Sequence, residues 1–141
     1  MINLSLNKKV LLFGIIFTFF SSFGQSFFLG LFNSSIRNEL NITHGQFGTI
    51  YASATICSSL LLVWFGKKID EMRIFNYSFV VIGFLFFSSL FFSFINSVYF
   101  LIVAIFLMRF SGQGLMSHTS STTISRYFNK RRGKALSGIW F

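Results

Sequence analysis

Charged side chains are scarce in this sequence of 141 residues. Lys and Arg number 12, Asp and Glu only 3, so charged residues make up 11% of the chain, whereas hydrophobic residues make up 53% and Phe alone contributes 23. Soluble globular domains carry about 25% charged residues, and this shortage excludes a water-soluble fold because its surface could not be covered. Lipid tails accept the apolar surface that water rejects. The composition therefore indicates a membrane protein with lipid as its surroundings.

Cysteine and catalytic motifs are equally sparse. Cys57 is the single cysteine and lies within an apolar run, so it can form neither an intramolecular disulfide nor the centre of a metal cluster. We interpret it as a small buried hydrophobic residue. The sequence contains no His-x-x-x-His, no Cys/His cluster, no phosphate-binding glycine loop and no pair of carboxylates within an apolar run. It therefore predicts no enzyme, no catalytic or metal-binding residue and no cofactor.

Long uncharged runs divide the chain into helices. About 20 apolar residues of α-helix cross the hydrocarbon core of a bilayer. The first run is too long for the apolar part of a signal peptide and is followed by no cleavage site. A polar turn at residues 95–97 divides the last long run. The sequence predicts an all-α membrane protein with four transmembrane helices near residues 10–32, 45–65, 74–94 and 98–120 and the start of a fifth at residue 135.

The polar segments between these helices are predicted as loops, and their charge is asymmetric. With four crossings, the N-terminus, the segment 66–73 and the segment 126–134 share one side and carry ten Lys and Arg residues, whereas Arg37 stands alone opposite them. Basic residues concentrate in cytoplasmic loops. The pattern predicts a multi-pass protein of the cell's inner (plasma) membrane with a cytoplasmic N-terminus. Despite a net charge of +9, basic clusters placed between membrane helices argue against a nucleic-acid partner.

Arg109 is the one charged residue inside the predicted helices. It lies near the midplane, where an Arg costs about 2.5–3.5 kcal/mol or more unless a partner or water compensates it. No acidic residue is predicted within the membrane, so the partner is a backbone carbonyl, a bound anion or a further helix. We expect Arg109 to have a functional role; the alternative is a structural Arg that holds helices together through carbonyl groups.

Other polar and small residues of the helices leave two interpretations each. Gln25 either lines a cavity or makes a hydrogen bond between helices, and His118 is either a proton relay or a partly hydrated side chain. Gly112 and Gly114 favour close packing of helices. The second helix carries a further stripe of small residues that predicts a packed face, namely Gly45, Gly48, Ala52, Thr55 and Ser59.

Four segments resemble signatures of the major facilitator superfamily. Residues 66–73 resemble its G-x-x-x-D loop, with Gly66 and Asp70 at the matching positions, although Glu71 replaces a basic residue. Residues 109–114 resemble its R-x-x-x-G-x-G signature with one residue fewer before the first glycine. Residues 126–135 are similar to the W/Y-F-x-x-x-R-G-x-A segment of monocarboxylate and other organic-anion carriers, and residues 36–48 are similar to the start of the second helix in the family.

This resemblance implies the first part of a twelve-helix fold made of two six-helix halves. Residues 1–141 would form part of the N-terminal half, and because the apolar run after residue 135 is too short to cross, we expect the remainder of the same chain as a partner. The first and fourth helices would face the solute cavity. Substrate-binding or coupling residues would be Arg109, Gln25, Gln113 and His118, and the gating loop would contain Gly66, Asp70 and Arg73.

The resulting hypothesis is secondary active transport of a small polar solute by alternating access, as symport or antiport, with protons as one candidate coupling ion. The midplane charge of Arg109 favours an anionic solute. The alternative hypothesis is a non-transporting multi-span membrane protein, such as a sensor or an assembly partner, in which the same motifs are structural.

Overall fold

The computed structural model describes residues 4–128 and 131–140, and every regular element in these ranges is a helix. A 3-10 turn at Ser22–Gly24 separates α1 from α2, and a π-helix at Arg109–Met116 joins α6 to α7. The α-helices are α1 (Leu4–Ser21), α2 (Ser26–Leu31), α3 (Asn33–Leu40), α4 (His44–Glu71), α5 (Ile74–Ser93), α6 (Val98–Met108), α7 (Ser117–Tyr127) and α8 (Arg132–Trp140).

Four helical stretches of the described chain are long and apolar enough to cross a bilayer. The predicted fold class, an all-α membrane protein with four transmembrane helices, is therefore confirmed. We call the stretches spans one to four: Lys8–Leu31, His44–Glu71, Ile74–Ser93 and Val98–Tyr127. The basic end is the end of the bundle where span one begins and spans two and four finish; it carries Lys8, Lys67, Arg73, Arg126 and Arg132.

Spans two and four extend beyond their predicted limits. Span two continues to Glu71 instead of residue 65, so Gly66 and Asp70 lie on a helix and not in a loop. Span four continues to Tyr127 instead of residue 120, and the next helix begins at Arg132 instead of residue 135. The reason is that low hydropathy marks the edge of the hydrocarbon core, whereas helical hydrogen bonding continues outside it. Basic side chains in a last turn also interact favourably with the helix dipole.

Span one is interrupted instead of running as one helix over residues 10–32. Its α-helix ends at Ser21, a single 3-10 turn follows, and Gln25 takes an extended backbone (φ −78°, ψ 156°) before α2 begins. The interruption lies at the point where span one meets span four most closely, through Gly24. The break in the helix therefore coincides with the polar residues 24–26 and with the packing against span four.

The polar segment after span one is helical and not the predicted loop. It forms α3, which has no buried residue and a polar composition typical of a helix outside the hydrocarbon core. Glu39 lies on this helix. The helix ends at Asn41 in a left-handed backbone (φ 51°), which Asn tolerates better than most residues. Thr43 caps the start of span two: its hydroxyl accepts from the Gln46 amide, and the Gln46 side chain accepts in return from the Thr43 amide.

Span four is the centre of the bundle. Half of its most apolar stretch is buried, against 17% to 28% in the other spans. Toward the basic end a buried cluster joins all four spans, including Phe17, Ile69, Val81 and Leu115. A second cluster joins Leu29, Phe47, Ala54, Leu101 and Ile105 toward the opposite end.

The outward faces of the spans are apolar, as a lipid environment requires. Trp64 is 79% exposed and Phe19 67%. Cys57 is exposed too, so its predicted burial was wrong, because it faces away from span four. The small-residue stripe of span two is likewise largely open instead of packed. An added methyl at Gly48 would meet no described atom within 4 Å. Thr55, which is half-buried, accepts a hydrogen bond from Arg109 of span four.

Candidate functional site

Spans one and four approach each other at two glycines. A Cβ atom placed on Gly112 would lie 2.6 Å from the backbone nitrogen and 2.7 Å from the Cα of Gly24. A Cβ atom on Gly24 would in turn collide with the backbones of Gln113 and Met108. Backbone atoms cannot swing aside as the tip of a flexible side chain can. The two glycines therefore hold the interruption of span one directly against the π-helix of span four.

The guanidinium group of Arg109 lies beside this contact, and the residue is only 7% exposed. Its Nη1 donates to the carbonyl oxygen of Gly24 at 3.1 Å, and its Nε donates to Oγ1 of Thr55 at 3.2 Å. Gly24 ends the 3-10 turn, and carbonyl groups at helix ends lack an intrahelical partner. The interruption of span one thus supplies an acceptor for the buried cation.

Two further side chains complete the surroundings of Arg109. Nη1 also lies 3.4 Å from Oγ of Ser26. The ring of Tyr51 lies 5.0 Å from the guanidinium carbon, within the range of a cation–π interaction. The Tyr51 hydroxyl donates to Ser26 at 2.7 Å, which connects spans one and two next to the cation. Arg109 therefore contacts spans one and two while belonging to span four.

Nothing acidic neutralises Arg109. Its Nη2 donates no hydrogen bond to any residue in the described ranges, and the described residues form no salt bridge with it. A buried cation that has only neutral partners attracts an anion strongly, because the interior screens charge weakly. The three acidic residues of the chain lie at the ends of the spans: Glu39 in α3, and Asp70 and Glu71 in the last turn of span two.

Span four presents a polar surface between Arg109 and the basic end. The apolar side chains of this segment, such as Leu115 and Ile124, are no more than 2% exposed. A lipid-facing helix would show the reverse arrangement. We call the partly exposed residues, all of them polar, the polar face: Gln113, Ser117, His118, Ser121, Thr122, Ser125 and Arg126.

The polar face contains two buried oxygen atoms without a partner. Gln113 Oε1 and Ser117 Oγ have no hydrogen bond to any described residue. Buried polar atoms in proteins are nearly always bonded to protein or water. These two residues lie four and eight positions after Arg109, about one and two helical turns along the span. The arrangement can offer a cation, an amide and a hydroxyl to water or to one polar solute. Its π-helical backbone is a geometry often found at functional sites.

His118 connects the polar face to span two. Its Nε2 lies 3.1 Å from the carbonyl oxygen of Gly66. A Cβ atom on Gly66 would lie 3.2 Å from the same nitrogen, tighter than an ordinary contact. The glycine of the G-x-x-x-D segment is therefore the place where the imidazole approaches the backbone of span two.

Asp70 lies one helical turn further toward the basic end and forms an ion pair with Arg126 of span four. Arg126 also donates to the carbonyl oxygen of Ile69 at 3.4 Å. Arg73 precedes span three and is exposed, and the structure gives it no described contact with span four. Of the three predicted gate residues, Gly66 and Asp70 thus contact span four and Arg73 does not.

The remaining predicted residues occupy ordinary positions. Gln25 is half-buried at the interruption of span one, and its side chain has no hydrogen bond within the described ranges. Gly114 is buried, and a Cβ atom there would lie 3.4 Å from a methyl group of Leu62. That distance is close to normal van der Waals contact, so Gly114 requires glycine far less than Gly112 does.

Four residues of the site were missed from the sequence. The sequence analysis assigned Thr55 to a packing stripe and Arg126 to a loop. Arg126 follows His118 by eight positions, so a continuous span four would place both residues on the same helical face. Ser26 stands in the polar interruption of the first apolar run at residues 24–26, but nothing local indicates that its hydroxyl faces Arg109. Tyr51 has no sequence signal that could have found it, because it reaches Arg109 only through the packing of the spans.

The described residues bring together no group of three His, Cys, Asp or Glu side chains that could hold a metal ion. In comparisons with known proteins, no curated protein and no solved structure shows a significant match. The family model of the Major Facilitator Superfamily matches residues 14–141, which is nearly the whole chain. With that match, and with an intramembrane Arg and two glycines at the contact of spans one and four, the chain belongs to the major facilitator superfamily.

Proposed function

We propose that this protein is a secondary active transporter of a small anionic solute, working by alternating access. Its family consists of membrane transporters and not of enzymes. The observation that supports an anionic solute is Arg109, a cation buried near the midplane with neutral partners and an unoccupied Nη2. A carboxylate would supply the missing charge and accept the remaining hydrogen bonds. A monocarboxylate or a related organic anion fits this requirement, as the 126–135 segment also suggests.

The polar face of span four would be the route between Arg109 and one side of the membrane. Gln113 would donate to the solute next to Arg109 from its amide nitrogen, and its oxygen, which has no partner among the described residues, would accept from water. Gln25 would border the same cavity from span one. His118 would be the coupling residue, since its imidazole lies on the polar face and joins span four to the Gly66 carbonyl of span two. If protons are the coupling ions, they would reach His118 along the same polar face.

The basic end would face the cytoplasm of a cell whose inner (plasma) membrane holds the protein. In the described ranges, Arg37 lies toward the opposite end, and the other Lys and Arg residues except Arg109 lie at the basic end. The asymmetry follows the bias of cytoplasmic loops. The ion pair between Asp70 and Arg126, with the bond between His118 and Gly66, would then form a cytoplasmic gate between spans two and four. Arg73, which has no such contact here, would join the gate only in another conformation.

The alternative function is that of a non-transporting membrane protein, such as a sensor or an assembly partner. One observation favours it: Arg109 of span four bonds to Gly24 and Ser26 of span one and to Thr55 of span two. An Arg of that kind could serve only to hold the bundle together. If the protein transports, solute binding needs the charge of Arg109. If it does not transport, Arg109 serves only to hold the folded bundle together.

Uptake measurements with charge variants distinguish them. Cells producing the complete gene product would be offered radiolabelled monocarboxylates, dicarboxylates, amino acids and sugars, and uptake would be normalised to folded protein. We expect uptake of one anion class, lowered at least about tenfold in Arg109→Gln, which keeps donor groups but removes the charge. Arg37→Gln is the matched control, because it removes an Arg near the opposite end of the bundle.

Thr55→Val tests the structural alternative, because it removes one hydrogen bond from Arg109 and leaves the charge in place. The transport hypothesis predicts that Thr55→Val lowers uptake much less than Arg109→Gln does. Equal uptake by Arg109→Gln and the unaltered protein, per folded molecule, would refute the role of Arg109 in transport. Absence of uptake for every class offered would favour the non-transporting function.

A further inference from the structure

A second basic site lies at the basic end, separate from Arg109. A cleft of about 310 Å³ opens where span four ends and α8 begins. Among the described residues, no acidic side chain lines it. Its lining residues are Ser121, Thr122, Ser125, Arg126 and Arg132.

The lining chemistry selects an oxyanion. Two guanidinium groups supply positive charge and forked donors that match the oxygens of a carboxylate or a phosphate. Three hydroxyl groups add neutral donors on the wall formed by span four. Arg131 and Lys134 lie close in the chain and add to the positive potential. A cation would be repelled from the cleft by the two Arg side chains.

Arg126 belongs both to this cleft and to the contact with span two. Its Nη2 pairs with Asp70, and its Nη1 reaches the Ile69 carbonyl oxygen at 3.4 Å. Both partners of the ion pair are partly exposed, with 38% of the Arg126 side chain and 67% of the Asp70 side chain accessible. Exposed pairs of this kind are weak, about 0–1 kcal/mol. An anion in the cleft can therefore compete with Asp70 for Arg126.

We propose that this cleft is a binding site for a phosphate or carboxylate group, and that its occupation weakens the ion pair between Asp70 and Arg126. The anion would then loosen the contact of spans two and four at the basic end. The site is distinct from the midplane site at Arg109, and its existence does not depend on whether the protein transports. The group could belong to a free anion or to the headgroup of an anionic phospholipid, since both present the same oxygens.

Binding measurements on the purified chain separate these sources. In the first arm, the protein in phosphatidylcholine nanodiscs is titrated with inorganic phosphate against chloride at constant ionic strength, and affinity is measured by calorimetry. In the second arm, the protein in neutral detergent is mixed with phosphatidylglycerol or with phosphatidylcholine, and retained lipid is counted by native mass spectrometry. Each arm uses Arg132→Gln, which removes a lining residue, and Arg131→Gln as its neighbouring control.

We expect Arg132→Gln to weaken binding about tenfold, the equivalent of one charge-assisted hydrogen bond at a partly exposed site, and Arg131→Gln to change it less than about twofold. If this pattern occurs in the phosphate arm, the ligand of the cleft is a free anion. If it occurs in the lipid arm, the ligand is a lipid headgroup. Equal losses in the two variants, or no binding in either arm, would overturn the site because the effect would then be diffuse or missing.

Asp70→Asn tests the competition. Removal of the carboxylate frees Arg126, so we expect the affinity for the successful probe to rise by about threefold or more, the equivalent of an exposed ion pair. An unchanged affinity in Asp70→Asn would refute the coupling between the cleft and the ion pair. Transport activity enters neither measurement, so a failure here is distinguishable from a failure of the proposed function.

Discussion

Gly112→Ala should destabilise the protein, whereas Gly114→Ala, two positions away on the same π-helix, should not. The Cβ atom at position 112 would lie 2.6 Å and 2.7 Å from backbone atoms of Gly24, and 3.3 Å from the carbonyl oxygen of Ser21. Relief of this overlap requires spans one and four to separate along their contact. The same separation would draw the Gly24 carbonyl away from Arg109, whose Nη1 lies 3.1 Å from it.

The expected change in the free energy of unfolding is the difference between two opposing contributions. Overpacking of a well-packed interior costs about 1–3 kcal/mol, and a clash with backbone belongs at the upper limit. Replacement of Gly by Ala in a helix returns about 1 kcal/mol. The net loss for Gly112→Ala is therefore about 2 kcal/mol, with a further loss if the Arg109 hydrogen bond breaks. At position 114 the nearest atoms lie at 3.4 Å or beyond, so the helix term dominates and the change is about zero or slightly stabilising.

Reversible unfolding in mixed detergent micelles, followed by circular dichroism, measures both variants against the unaltered protein. Gly24→Ala should match Gly112→Ala, because its Cβ atom would meet the opposite side of the same contact. If Gly112→Ala and Gly114→Ala unfold at the same denaturant concentration, the backbone contact of spans one and four does not have the role argued from these distances.

Three smaller predictions concern other contacts. Thr43→Ala should lower the free energy of unfolding by about 1 kcal/mol through loss of the cap of span two, measured in the same assay; no change would mean that the capping box is dispensable. A double-mutant cycle of Asp70→Asn with Arg126→Gln should give a coupling of at most about 1 kcal/mol, because both side chains are partly exposed; several kcal/mol would contradict that exposure. In a cysteine-free background, Ser121→Cys should react with a membrane-impermeant maleimide and Ile124→Cys, whose position is 0% exposed, should not. Equal labelling would show that the polar face is not a distinct surface.

The contacts of span four show what sequence patterns can predict in a protein of this kind. Arg109 was recognised because an ionisable residue in an apolar run is costly and therefore conspicuous. Its partners could not be identified in the same way. Gly24 and Thr55 lie 85 and 54 positions away in the chain, and nothing local marks the carbonyl or the hydroxyl that faces the guanidinium. The sequence likewise indicated where span two loses its apolar character, but not that its helix continues through Asp70.

The sequence by itself determined the membrane environment, the number of spans and the asymmetric charge, because each depends on the composition of a short stretch and on the thickness of a bilayer. The tertiary structure alone decided that the backbones of spans one and four meet at Gly24 and Gly112, which groups surround Arg109, and that Asp70 meets Arg126. These are contacts between helices, and they depend on how the spans rotate and approach one another. In lipid that approach is governed by close backbone packing and by hydrogen bonds between spans, neither of which a hydropathy pattern records.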